Sequence, residues 1–228
     1  MEELYANTTT DIIEKIKSKG ICIVENFVNK DKLKDIETEF DSILKNYKSS
    51  LDTNTEPNKC LRIFPNMFTK IVNQNNNTNI FSLFKSKFIK NISNNILGNY
   101  KYDNIFIHQD FTNLNTNNTY PHFDYDRKLK FYICVNDMNI SNGCFKAFPG
   151  QLSLVNEKRK INRRNNIFTP DHKFYNGTEI KIEELIPIEC KGGDLIIFDT
   201  NCIHAGGDKF ENGKYRKVIR FHLSKNKI

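Results

Sequence analysis

The chain has 228 residues, 38% of them hydrophobic and 12% aromatic, with 18 Phe and no Trp. That is enough apolar side chain for a buried core, so wholesale disorder is excluded, and the length fits one large domain or two small ones. The net charge of +7 allows nucleic acid, an acidic surface or an anionic small molecule as partner and selects none of them.

No run approaches the roughly 20 apolar residues of a membrane span. The start, Met1 to Ala6, lacks the basic and apolar stretches of a signal peptide. Six Cys, at 22, 60, 134, 144, 190 and 202, form no CxxC pair, so neither a disulfide framework nor a zinc ribbon is expected, and a reducing cytoplasm is. Most of the positive charge is Lys, and Asn is abundant, a bias that coding composition alone can produce.

Thr8 to Lys19 reads as a helix, capped by Thr10 or Asp11 and ended by Gly20. Ile21 to Val24 is a short β-rich run. Asp31 to Tyr47 is a second helix, with Leu33, Ile36, Phe40, Ile43 and Leu44 on one face. Residues 48–59 and 73–77 are polar connections, and a third helix runs from about Asn79 to Leu97, stopped by Gly98. Beyond Tyr100, β-rich runs alternate with turns: Asn104–Phe111, Lys130–Val135, Cys144–Phe148, Leu195–Phe198 and Lys217–Leu223. The pattern predicts an α+β chain, mainly β, with helices in 1–100 packed on an all-β part in 101–228, as one domain. Residues 155–184 carry no strand or helix signature and are expected to form a mobile lid loop. Within them lies the densest basic run, Lys158 to Arg164, suited to attracting an anionic substrate or, on the plainer reading, simply solvated.

The chemistry concentrates in His122, Asp124, His204 and Arg216. His122 and Asp124 are two apart in an extended segment, so their side chains point the same way. His204 follows the strong strand Asp194 to Phe198 and can supply a third ligand from a neighbouring strand. Two His and one carboxylate on one face match the facial triad of non-haem Fe(II) oxygenases, with positions left open for a cosubstrate and O2. His-x-Asp alone is a common tripeptide, and ordinary surface or core histidines are the competing reading.

The surrounding sequence narrows the choice. Between the two His lie Leu129 to Asp137, the Asn142-Gly143 turn, Phe148-Pro149-Gly150 and the Gly192-Gly193-Asp194 turn, and Arg216 lies twelve residues after His204. Over residues 108–223 this array resembles the phytanoyl-CoA dioxygenase-like family of Fe(II)/2-oxoglutarate-dependent oxygenases; residues 8–47 resemble its N-terminal region less specifically. The resemblance implies a double-stranded β-helix (jelly-roll, cupin-like) core and a dioxygenase using Fe(II), 2-oxoglutarate and O2. His122, Asp124 and His204 would be the metal ligands. Where relatives carry Pro-Gly-Ser-His, this chain reads Pro149-Gly150-Gln151-Leu152, which touches the substrate loop rather than the metal ligands. Relatives that halogenate replace the Asp124 carboxylate with a small residue, so its presence here implies hydroxylation or another oxidation rather than halogenation.

The resemblance also gives Arg216 a role. A planar guanidinium can hold the distal carboxylate of 2-oxoglutarate in a dry barrel by two parallel bonds. Arg220 is the rival, because Arg216, Val218, Arg220 and His222 share strand parity. His108 and Gln109 would line the barrel mouth or sit on the surface. Lys130 is read as solvated, and Cys134 and Cys202 as small core residues.

Three readings follow. The first is an oxygenase acting on a small organic molecule, an anionic one among the candidates. The second is the same chemistry on a protein or nucleic acid, which the charge allows but no recognised binding motif supports. The third is a non-catalytic cupin-like binding protein, against which the retained triad and Arg216 stand.

Overall fold

A computed structural model describes residues 1–47, 59–68, 71, 79–111, 120–165, 179–207 and 211–226. Helix α1 (Thr9–Lys19) begins where the Thr8 side chain accepts a bond from the Asp11 amide at 3.2 Å, and it ends at Gly20, whose φ of 81° suits glycine. Strand β1 (Ile21–Val24) leads to α2 (Lys30–Asn46), capped by Asn29. The polar connection at 48–58 lies outside the described residues, and at Lys59 the chain enters an unexpected strand, β2 (Lys59–Ile63). The connection at 73–77 also lies outside them.

The single helix expected over 79–97 is two, α3 (Asn79–Phe84) and α4 (Lys87–Leu97). Ser86 breaks the run by taking an extended conformation and accepting from the Ile89 amide. The buried Glu39 carboxylate of α2 accepts from the Asn79 and Ile80 amides at 2.9 and 3.2 Å, so one helix caps the next.

The expected β runs each form a strand. In chain order the second half comprises β3 (Tyr100–Asp110), β4 (Lys128–Cys134), β5 (Phe145–Phe148), α5 (Leu152–Arg164), β6 (Ile186–Ile188), β7 (Leu195–Asp199), β8 (Ile203–Ala205) and β9 (Arg216–Lys225). Strands β6 and β8 have three residues each, too few to show an alternating pattern. Helix α5 overturns the expectation that 155–184 begins as an unstructured lid. Its buried face is Val155, Arg159 and Asn162, helically spaced but with two of the three polar, so no apolar stripe announces it. Residues 166–178 lie outside the described residues.

The strands form an antiparallel six-stranded sheet, β1-β7-β4-β9-β3-β2, and a three-stranded sheet, β6-β5-β8. Packed face to face they make the expected jelly roll. Strand alternation divides the core in two. Ile133, Ile197, Ile219, Phe221 and Leu223 face outward against the helices, while Ile21, Tyr132, Ile196, Phe198 and Val218 face the smaller sheet through Phe145, Ala147 and Ile188. The Gly-Gly-Asp turn before β7 is a close approach. Gly193 has φ 96°, a Cβ there would lie 2.3 Å from the Val28 carbonyl oxygen, and Asp194 accepts from the Asn26 and Lys191 amides. All six cysteines are free and buried. Among the described residues no helix is long and apolar enough to cross a membrane.

Candidate metal centre

Strand β8 pairs with β5 on one side, and on the other it meets the segment carrying His122. The backbones of His122 and His204 exchange both hydrogen bonds at 2.9 Å. Residues opposed in this way project side chains on the same face, and the two rings stand 4.4 Å apart between centroids. Asp124, two residues on, shares that face. Its Oδ1 lies 3.8 Å from His122 Nε2 and 3.5 Å from His204 Nε2, and the three ligand atoms all lie within 4.8 Å of one another.

The donor set fits a metal ion. His122 Nδ1 sits 2.8 Å from the Tyr120 carbonyl and His204 Nδ1 2.9 Å from the Cys202 carbonyl, so each ring places its proton on Nδ1 and turns the Nε2 lone pair inward. Burial, with His204 adding, pushes the His122 imidazole down to about 3, so it stays neutral and able to donate. Burial works to raise the Asp124 carboxyl, but Lys130 and the two imidazoles hold it well below the usual carboxylate range. Lys130, expected to be solvated, is instead 7% exposed, with its Nζ 2.7 Å from Asp124 Oδ2 and 5.5 Å from the Phe198 ring centre.

The basic run also differs from its expected role. Helix α5 packs Val155 on Phe123 and Ile203, behind the two ligand-bearing segments. Arg159 is 4% exposed. Its Nε donates to the Asp124 carbonyl at 3.0 Å, Nη2 to the Thr200 carbonyl at 3.1 Å and Nη1 to Asn201 Oδ1, and its guanidinium lies 5.3 Å from the Phe123 ring centre. It thus ties the His122–Asp124 segment to the turn before His204. Arg163 donates to the Tyr125 carbonyl and to Asp126, both at 2.7 Å. Two guanidiniums expected to face a substrate are therefore committed to the protein. Sequence reading missed Arg159 because an arginine at a helical position ordinarily marks a solvated face.

Arg216 and Arg220 both lie on the barrel-facing side of β9. Arg216 donates to Asp110 Oδ2 through Nε (3.1 Å) and Nη2 (2.6 Å), and through Nη1 to the Gly143 carbonyl. Arg220 lies over the Phe106 and Tyr132 rings at 4.6 and 5.7 Å. His108 faces the same interior, 3.4 Å from Asp110 Oδ1. Burial, and then Arg220, lowers it to about 3. Phe131 packs against the helices and Tyr132 into the barrel, while Cys134 and Cys202 are fully buried.

The family model described as phytanoyl-CoA dioxygenase matches residues 16–217. No curated protein matches the chain. Among solved structures, the epimerase SnoN, in complex with Fe3+, alpha ketoglutarate and nogalamycin RO, is 11% identical, covering 95% of this chain and 83% of that one at a TM-score of 0.66. The alpha ketoglutarate dependent carbocyclase SnoK, from nogalamycin biosynthesis, is 9% identical, covering 96% and 85% at 0.61. AviO1 from Streptomyces viridochromogenes Tue57 is 13% identical, covering 96% of both chains at 0.60. At these identities the likeness concerns the fold.

Proposed function

This chain belongs to the phytanoyl-CoA dioxygenase family, and from that premise we propose that it uses Fe(II), O2 and 2-oxoglutarate to hydroxylate a small organic substrate, releasing succinate and CO2. The proposal takes residues 1–228 as one oxygenase domain. The observation that carries it is the cluster of His122, Asp124 and His204, whose Nε2 and carboxylate atoms converge from two paired segments while both Nδ1 atoms are held by backbone carbonyls.

When bound, Fe(II) supplies oxygen activation coupled to decarboxylation of the cosubstrate. The chain supplies the rest. His122 and His204 offer imidazole nitrogen donors and Asp124 a carboxylate. Lys130 steadies the far oxygen of Asp124, and Arg159 fixes its backbone. Phe145 and Phe198 pack against the His204 ring at 5.7 and 5.0 Å and exclude water from that side. The distal carboxylate of 2-oxoglutarate falls to a guanidinium on the barrel face of β9, where Arg216 and Arg220 stand.

The test has two parts. Anaerobic addition of Fe(II) and 2-oxoglutarate should give a visible metal-to-ligand band that His204→Ala lacks; a wild-type protein that takes up no Fe(II) refutes the metal site. With a turned-over substrate, 18O2 should place one labelled oxygen in the product. SnoN is an epimerase and SnoK a carbocyclase. Turnover to an isomer or a dehydrogenated ring, with no label, would replace hydroxylation by a reaction of that kind.

A further inference from the structure

The two oxygens of the Asp124 carboxylate have different partners. Oδ1 lies 3.8 Å from His122 Nε2 and 3.5 Å from His204 Nε2, among the atoms that converge as metal ligands. Oδ2 takes the Lys130 ammonium at 2.7 Å. The backbone of the same residue is fixed, because Arg159 Nε donates to the Asp124 carbonyl at 3.0 Å.

Lys130 is built into the barrel wall rather than reaching in from solvent. It sits on β4 between Phe198 of β7 and His222 of β9, each directly opposite it in the register. Its side chain is 9% exposed, and its Nζ lies 5.5 Å from the Phe198 ring centre. The Phe198 ring in turn stands 5.0 Å from the His204 ring, so one aromatic side chain packs on both the ammonium and a ligand imidazole. Among the described residues, Asp124 is the one carboxylate within ion-pair distance of this ammonium.

Stability is a poor account of such a pair. A buried ion pair often does no better than apolar side chains of similar volume. The consequence for the metal lies in which oxygen the ammonium takes. A carboxylate with both oxygens free can ligate through one or through both. On an octahedral ion, two imidazoles and one carboxylate oxygen leave three positions open, and the second carboxylate oxygen would close one of them. A chelating cosubstrate and O2 together need all three.

We propose that Lys130 is a positioning residue that withholds Asp124 Oδ2 from the metal, so that Asp124 ligates through Oδ1 alone and three positions stay open. The inference rests on the metal-site reading above and adds the state of one oxygen, which can be read without turnover.

The test uses the full-length protein with Mn(II) as the probe ion. Broadening of its electron paramagnetic resonance lines in 17O-enriched water counts the waters bound to it. The wild type should hold three, and one after 2-oxoglutarate is added. Lys130→Met keeps much of the side-chain length but removes the ammonium; it is prepared with Mn(II) present, whose charge then faces Asp124 in place of the lysine's. This variant should bind Mn(II) as tightly as the wild type or more tightly, since the carboxylate has lost a competing cation. It should nevertheless hold only two waters, and none once 2-oxoglutarate is added. A wild type with two waters overturns the proposal whether or not the variant folds. So does a Lys130→Met protein that still holds three; if its Mn(II) affinity has also fallen about 10–100-fold, Lys130 merely supports the ligand. A wild type that takes up no Mn(II) overturns the metal-site reading and this inference together, whereas bound Mn(II) with the wrong water count overturns this inference alone.

Discussion

Arg159 offers the sharpest test of how the metal cluster is held. Replacing it with Met keeps much of the side-chain volume but removes the donors to the Asp124 carbonyl, the Thr200 carbonyl and Asn201 Oδ1. A hydrogen bond from a charged donor contributes about 1.5–3 kcal/mol, and the stacking on Phe123 adds roughly 0.5–2 kcal/mol. Against this, the wild type buries a cation at 4% exposure, a cost the Met variant avoids. The net loss should be about 2–4 kcal/mol, which at about 2–4 °C per kcal/mol for a chain of this size lowers Tm by roughly 4–16 °C. Because the bonds tie one ligand segment to the other, Fe(II) affinity should fall about 10–100-fold, as when groups that orient metal ligands are removed. The control is Arg163→Met, whose partners are Tyr125 and Asp126 at the surface and whose loss should cost under about 1 kcal/mol. Calorimetric Fe(II) titration and thermal melting of both variants decide the matter. An Arg159→Met protein that melts within about 1 °C of wild type and binds Fe(II) equally well would refute the bridging role.

Three other outcomes are expected. His204→Ala should abolish stoichiometric Fe(II) uptake. Removing Fe(II) with a chelator should lower the melting temperature of the loaded wild type but leave that variant unchanged, since a ligand at about 100 times its Kd contributes about 2.7 kcal/mol. Asp110→Asn should be less stable than wild type at neutral pH, by a margin that shrinks in acid. Burial works to raise the Asp110 carboxyl, yet Arg216 and His108 hold it below its usual 3.8, so the stabilisation is present above that value and lost as pH falls through the folded pKa. Urea midpoints that differ equally at pH 7 and in acid would contradict this. Gly193→Ala should destabilise by at least about 1–3 kcal/mol, because it puts a side chain at positive φ and its Cβ 2.3 Å from the Val28 carbonyl oxygen; an unshifted melting curve would show that the turn relaxes freely.

Much of the fold was legible because local chemistry agreed with the tertiary result. Gly20 ends α1 in the left-handed region, and the long β runs became strands that bury alternate faces in different clusters. What was lost in reading had local causes. Ser86 fits a helical pattern as well as it caps one, so α3 and α4 merged into one expected helix. Three-residue strands such as β8 owe their pairing to β5 and to His122, not to their own composition.

The candidate site shows a more general asymmetry. Parity in an extended segment brought His122 and Asp124 to one face, and the turn-strand pattern pointed to His204, so the ligands could be read from spacing. Their supports could not. Lys130 and Arg159 are long cations that composition assigns to solvent, and each is buried because a carboxylate or a set of carbonyls waits for it from a distant segment. The same reasoning separates Arg216 from Arg220. Sequence register treats them as equivalent, whereas the fold gives one guanidinium a carboxylate across β3 and leaves the other facing the barrel with an unused donor. In a barrel that binds polar ligands, a polar residue on an inward parity carries the information that an apolar one carries in an ordinary core. Its meaning depends on whether the fold supplies it a counter-charge, as Asp110 does for Arg216, or sets it against aromatic rings, as Phe106 and Tyr132 do for Arg220.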